Sequence, residues 1–150
     1  MVAPVMKAAI IASTAISAYS AIQQGKYAKA AAEEEARQYE EQKRMAELKA
    51  IEDANARKRD WLESSASNRA LFAAKTGTDP NESASFLALR ESNELTASRD
   101  LGAIRLMGAS ESRKYDLSSW NSKMSGKAAM TSAYGRASST LLSGYRDLNA

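Results

Sequence analysis

The sequence contains no cysteine and no histidine. Without thiols there are no disulfides, thiolate nucleophiles or Cys-ligated zinc sites, and without imidazole the commonest general base and metal ligand is missing. Carboxylate and lysine chemistry remain. No pair of acids sits beside a glycine-rich loop, however, so the composition points away from an enzyme and implies no cofactor. Proline and phenylalanine are scarce, two of each in 150 residues, and valine is rare. Strand-building residues are depleted while Ala, Ser, Lys, Arg and Glu abound, which predicts an all-α chain without strands.

The net charge is only +3, too small to imply nucleic-acid binding by itself. Its distribution says more. Residues 1–32 carry Lys7, Lys26 and Lys29 as their only charges, and residues 118–150 set Lys123, Lys127, Arg136 and Arg146 against Asp147 alone. The middle is dense and mixed. Two basic ends suit an anionic surface as well as they suit plain solubility.

From Lys26 to Thr76 there is neither Gly nor Pro, and the run is built from good helix formers. Acid-first pairs at i, i+4 recur as Glu33 with Arg37, Glu40 with Arg44 and Asp53 with Arg57. The apolar stripe is thin: Ala28, Ala32, Ala36, Tyr39, Ala46, Ala50, Ala54 and Trp61 keep helical spacing, but most are alanines that bury little area. A long helix with so narrow a seam expects neighbours, and the chain reads as oligomeric.

The run ends at "KTGTDPNES". Gly77 suits the left-handed end of a helix, Asp79 an N-cap, Pro80 the first helical position and Glu82 the capping-box partner. So short a connection favours a helical hairpin, with an extended rod as the alternative. The second helix is expected from Pro80 to about Asn121, with Ala97, Leu101, Ile104, Gly108, Ser112 and Tyr115 on one stripe. Gly102 and Gly108 within it point to close helix contact. Residues 122–150 are rich in Ser, Ala and Gly, keep Met130, Tyr134, Leu141 and Tyr145 in helical phase, and read as a weak helical tail that needs partners. Four segments result: 1–25, 26–76, 77–121 and 122–150.

The opening stretch "AAIIASTAISAYSAI", residues 8–22, has no charge at all. At about 1.5 Å per residue it falls short of the ~30 Å of a bilayer core. Lys7, an apolar stretch and the triplet Ala18-Tyr19-Ser20 also resemble a signal peptide, although Ser13, Thr14 and Ser17 interrupt the apolar region. Helical phase offers a third reading. Ile11, Ala15, Tyr19 and Ile22, with Ile16, form an apolar side suited to a membrane, and Ala9, Ser13, Ser17 and Ala21 form a small-residue face suited to helix packing. Leu101, Ile104, Gly108 and Tyr115 are the packing candidates further along. A helix of this kind packs within an assembly and becomes membrane-active on release, or stays packed against protein.

The stretch from Gly77 to Tyr115 resembles a segment of the small internal virion proteins of short-tailed phages, the core or DNA-ejection proteins of T-seven-like podoviruses. Gly77, Ser83 and Ser85 match a Gly- and Ser-rich turn, Leu87 and Glu91 an L-x-x-x-E helix, and Asp100, Ile104, Arg105, Gly108 and Tyr115 a D-x-x-x-I-R-x-x-G pattern with a following Tyr. The Ala-rich opening helix and "SSTLLSG", Ser138 to Gly144, are similar to the same family's layout. The resemblance implies a non-catalytic protein stored near the portal in the capsid interior and expelled ahead of the genome. It implies reassembly as a homo-oligomer with other core and ejection proteins into a conduit through the host envelope, with the basic ends available for non-specific DNA contact. A soluble helical adaptor or coiled-coil scaffold uses the same seam and hairpin without a membrane, and an exported periplasmic helical protein is the third possibility.

Overall fold

The computed structural model describes the backbone of residues 4–149 and the side chains of residues 8–147. Two long helices pack against each other, α1 (Pro4–Thr76) and α2 (Ala84–Asn149), and no strand occurs among the described residues. The helix does not pause between residues 25 and 26, and α2 continues through Asn121 to the end of the described chain. The Ser-, Ala- and Gly-rich tail is therefore regular helix, because its small residues are taken up in packing.

The connection differs from the sequence expectation in one respect. Gly77 takes φ 66° and donates its N–H to Ala73 O at 2.9 Å, the single-bond left-handed ending of α1. The next helix does not start at Pro80. Asp79 instead folds a turn on itself: its Oδ1 accepts from the Asn81 N–H at 2.9 Å, and its carbonyl accepts from the Glu82 N–H at 3.0 Å. Pro80 is buried at the second turn position, where its fixed φ fits. The N-cap is Ser83, whose hydroxyl accepts the Phe86 N–H at 3.4 Å, so Glu82 precedes the cap and does not complete a box with Asp79. Phe86 is buried and its ring lies 4.9 Å from that of Phe72 across the turn.

The chain divides into two compact units. The first combines the chain up to Glu41 with the chain from Asp116 onward, and the second is Gln42–Tyr115. In the first unit the contact runs along small residues. A methyl added to Gly25 would collide with the Ala133 methyl, one on Gly126 would lie 2.9 Å from the Ala32 Cβ, and one on Gly144 would meet Thr14. Ala18 and Ala36 on α1, and Ser119, Ser122, Ala133 and Ala137 on α2, are buried along the same line. Ser119, Gly126 and Ala133 repeat at seven residues, the period that keeps one seam facing a partner in a left-handed supercoil.

The second unit breaks that period. Its seam on α1 passes Ala46, Ala50, Ala54, Arg57 and Trp61, and on α2 Ala97, Leu101, Ile104, Gly108, Ser112 and Tyr115. Both lines contain two successive steps of four, at Ala46-Ala50-Ala54 and at Ile104-Gly108-Ser112. Such a stutter locally relaxes the supercoil. The two stutters coincide, for Ala50 occupies the space that a Gly108 side chain would need.

Candidate functional site

Polar contacts pin the two helices in register. In the second unit the Arg57 guanidinium donates to Asp100 Oδ2, and Ser112 donates its hydroxyl to Glu47 Oε1 at 2.6 Å. In the first, Lys123 Nζ reaches Glu40 Oε1 at 2.6 Å, and the Ser119 hydroxyl donates to the same oxygen at 3.4 Å. The i, i+4 pairs expected from the sequence are redirected. Arg57 and Glu40 pair across the helices, Glu33 pairs with Lys29, and Arg37 with Glu34. Among the described residues no group of three or more acidic side chains is placed to hold a metal ion.

Among the described residues the buried apolar side chains outside the turn are six alanines and Phe86, and no large side chain is fully buried. The bulky ones are outside. In the uncharged opening segment Ile11, Ile16 and Tyr19 are exposed, Ile16 by 69%, while Ala15 is exposed and Ile22 half-buried. The hydroxyls there are turned inward on the helix itself: Ser13 and Thr14 donate to Ile10 O, and Ser17 donates to Ser13 O. Of the packing candidates, Gly108 is buried, Ala21, Leu101, Ile104 and Tyr115 are half-buried, and Ala9, Ser13 and Ser17 are exposed. The inter-helix side of the opening segment is instead the line of Thr14 and Ala18, which leaves Ala9, Ser13 and Ser17 off the contact.

A second apolar line runs along α2, and Tyr134, Leu141 and Tyr145 already keep helical phase in the sequence. In the first unit Leu117, Trp120, Met124, Tyr134, Leu141 and Tyr145 are all exposed on α2. Their positions belong to one three-four repeat, 117, 120, 124, 127, 131, 134, 138, 141 and 145, with Lys127, Thr131 and Ser138 filling the rest. This is a heptad seam of large residues, roughly a third of a turn round from the small-residue seam that meets α1. Its second half is legible in the phase of Tyr134, Leu141 and Tyr145, whereas its start at Leu117, Trp120 and Met124 straddles the point near Asn121 where the second helix was expected to end.

Two openings lie within the second unit. Near the turn, a cavity of about 240 Å³ is lined by Arg57, Trp61, Asn68, Phe86, Arg90 and Asn93 among others. At the coincident stutters a shallower groove of about 570 Å³ is floored by Ala50, Ala54, Gly108 and Ala109, with Ile51, Arg105 and Arg113 on its walls. Glu47, Asn55 and Ser112 also line it, so small, apolar and polar residues share its surface. No described helix is long and apolar enough to cross a membrane. No family model, curated protein or solved structure matches the chain.

Proposed function

We propose that this chain is a structural, non-catalytic ejection protein of the internal virion class, held in the capsid near the portal and delivered to the host envelope. In this reading, copies associate laterally with one another and with other core proteins to build a conduit for the genome. The observation that carries the envelope role is the opening segment of α1. It has no charge from Ala8 to Ile22, exposes Ile11, Ile16 and Tyr19, and bonds the hydroxyls of Ser13, Thr14 and Ser17 to its own backbone. Leaving water costs such a helix less, since the hydroxyls of Ser13, Thr14 and Ser17 already have partners.

Because no described helix suits a bilayer crossing by itself, the segment acts at the interface or inside an oligomer. In the first unit Lys29 and Lys123 are engaged by Glu33 and Glu40, which leaves Lys26, Lys127, Arg136 and Arg146 as its basic residues toward the chain ends, with Asp147 the acid among residues 118–150. That charge favours anionic headgroups, at about 1 kcal/mol per basic residue close to the surface, and offers non-specific contacts to DNA.

The test is flotation of the full chain with phosphatidylglycerol-containing vesicles, comparing wild type with Ile16→Glu and Tyr19→Glu. Both side chains are exposed, so the fold is expected to survive. Loss of vesicle binding in both variants supports the envelope role, and equal binding by all three removes it. The alternative, a soluble helical adaptor, draws on the apolar groove at Ala50 and Gly108, which suits a partner helix. Unchanged vesicle binding together with loss of partner binding in an Ile51→Glu variant would favour it.

A further inference from the structure

We propose that a second copy of this chain packs antiparallel along the exposed large-residue seam of α2, from Leu117 to Tyr145. The inference deepens the lateral association proposed above by naming its surface and its direction.

Three observations carry it. The first is area. The five large residues paired in the antiparallel register, Leu117 to Leu141, offer on the order of 550–600 Å² per copy at the exposures found for them, 57% for Trp120 and 60% for Leu117 among them. Specific stable interfaces begin at roughly 600 Å² from each partner. The second is period: a seam that holds the three-four repeat over its whole length is matched by a helix carrying the same repeat, and this chain supplies one. The third is the placement of the one charge. Lys127 lies near the middle of the seam, followed one step later by Thr131, whose hydroxyl already donates to Lys127 O at 3.1 Å.

That placement fixes the direction. Parallel copies in register would set Lys127 against the partner's Lys127, two like charges at the centre of an apolar seam. Antiparallel copies set Lys127 beside the partner's Thr131, which presents a methyl and lets the ammonium reach water along its stem. In the same register Leu117 meets the partner's Leu141, Met124 meets the partner's Tyr134, and the bulk of Trp120 falls against the partner's Ser138. From Leu117 to Leu141 large residues then face either large apolar or small ones and the two polar positions meet each other, while Tyr145 lies beyond the paired span.

The absence of cysteine makes a direct test clean. Full-length Leu117→Cys and Leu141→Cys chains are mixed and mildly oxidised. The expected product is the mixed disulfide, at least about tenfold over the Leu117→Cys homodimer. Sedimentation velocity is expected to show a concentration-dependent dimer that Trp120→Ser weakens about 30-fold, the size of a central aromatic contact. Tyr27→Ser, at a still more exposed aromatic off the seam, is expected to leave the dimer unchanged. Circular dichroism checks that each variant keeps its helix content. Predominant Leu117→Cys homodimers would overturn the antiparallel direction, and a monomer at every concentration, or a dimer indifferent to Trp120→Ser, would overturn the surface. With Trp61→Phe in the background, Trp120 emission that shifts blue only when phosphatidylglycerol vesicles are added would assign the seam to lipid and sink the proposal. Vesicle binding through Ile16 and Tyr19 is read separately, so the two readings fail independently.

Discussion

Arg57 holds a single oxygen of Asp100 with two nitrogens, Nη2 at 2.6 Å and Nε at 2.9 Å, joining residues 43 positions apart. Both side chains remain more than a third exposed, so solvent screens much of the attraction. Asp100→Asn is expected to destabilise the chain by only about 0.5–1 kcal/mol in urea titrations at low salt, with the difference shrinking at high salt. A loss of several kcal/mol would mean that the pair does more than hold register.

The glycines of α2 are expected to divide into two groups. Gly108 has the Ala50 methyl where its side chain would go, whereas Gly102 has open space around the same position. Gly102→Ala is therefore expected to stabilise by up to about 1 kcal/mol through helix propensity. Gly108→Val forces the helices apart and is expected to cost about 2 kcal/mol or more. Thermal melts of the two variants should move in opposite directions.

At the turn, the cap is the sensitive position. Ser83→Ala removes the acceptor of the Phe86 N–H and is expected to cost about 1 kcal/mol. Glu82→Ala, outside the helix and without a capping role, is expected to change stability by less than about 0.5 kcal/mol. Urea midpoints rank the two.

Lys127 is expected to act as a direction-setting residue in the proposed dimer. Lys127→Leu should tighten self-association while relaxing its geometry, so that Leu117→Cys homodimers appear alongside the mixed disulfide. Tighter association with the mixed product still exclusive would assign the direction to the large residues alone.

The helical class was legible because strand formers are so few, and the inner stripe was legible because its alanines keep phase. Ala36, Ala46, Ala97, Gly108 and Ser112 are all buried. Ala28 is exposed, since the contact passes through Gly25 and Ala32 on either side of it. Gly77 as a helix end could be read from a single residue, because only the left-handed backbone conformation was at issue. The cap could not, since Asp79 and Ser83 are both good candidates and the Phe72–Phe86 contact across the turn bears on the choice. The partner of Arg57 was not legible for a related reason: spacing along one helix offers it Asp53, whereas packing brings Asp100 of the other helix within reach. The exposed seam of Leu117 and Trp120 was hidden by composition, because a tail rich in glycine and serine looks weakly helical until its partner helix is in place.

The alanine core has a calorimetric consequence. Unfolding one isolated copy uncovers mostly methyl groups, so the heat-capacity increment per residue should fall below the usual ~12–15 cal/mol/K. The stability curve of a lone copy is then flat, its melt broad, and its response to cooling slight. Ordinary curvature returns only when the tryptophan, leucines and tyrosines on the outside are covered.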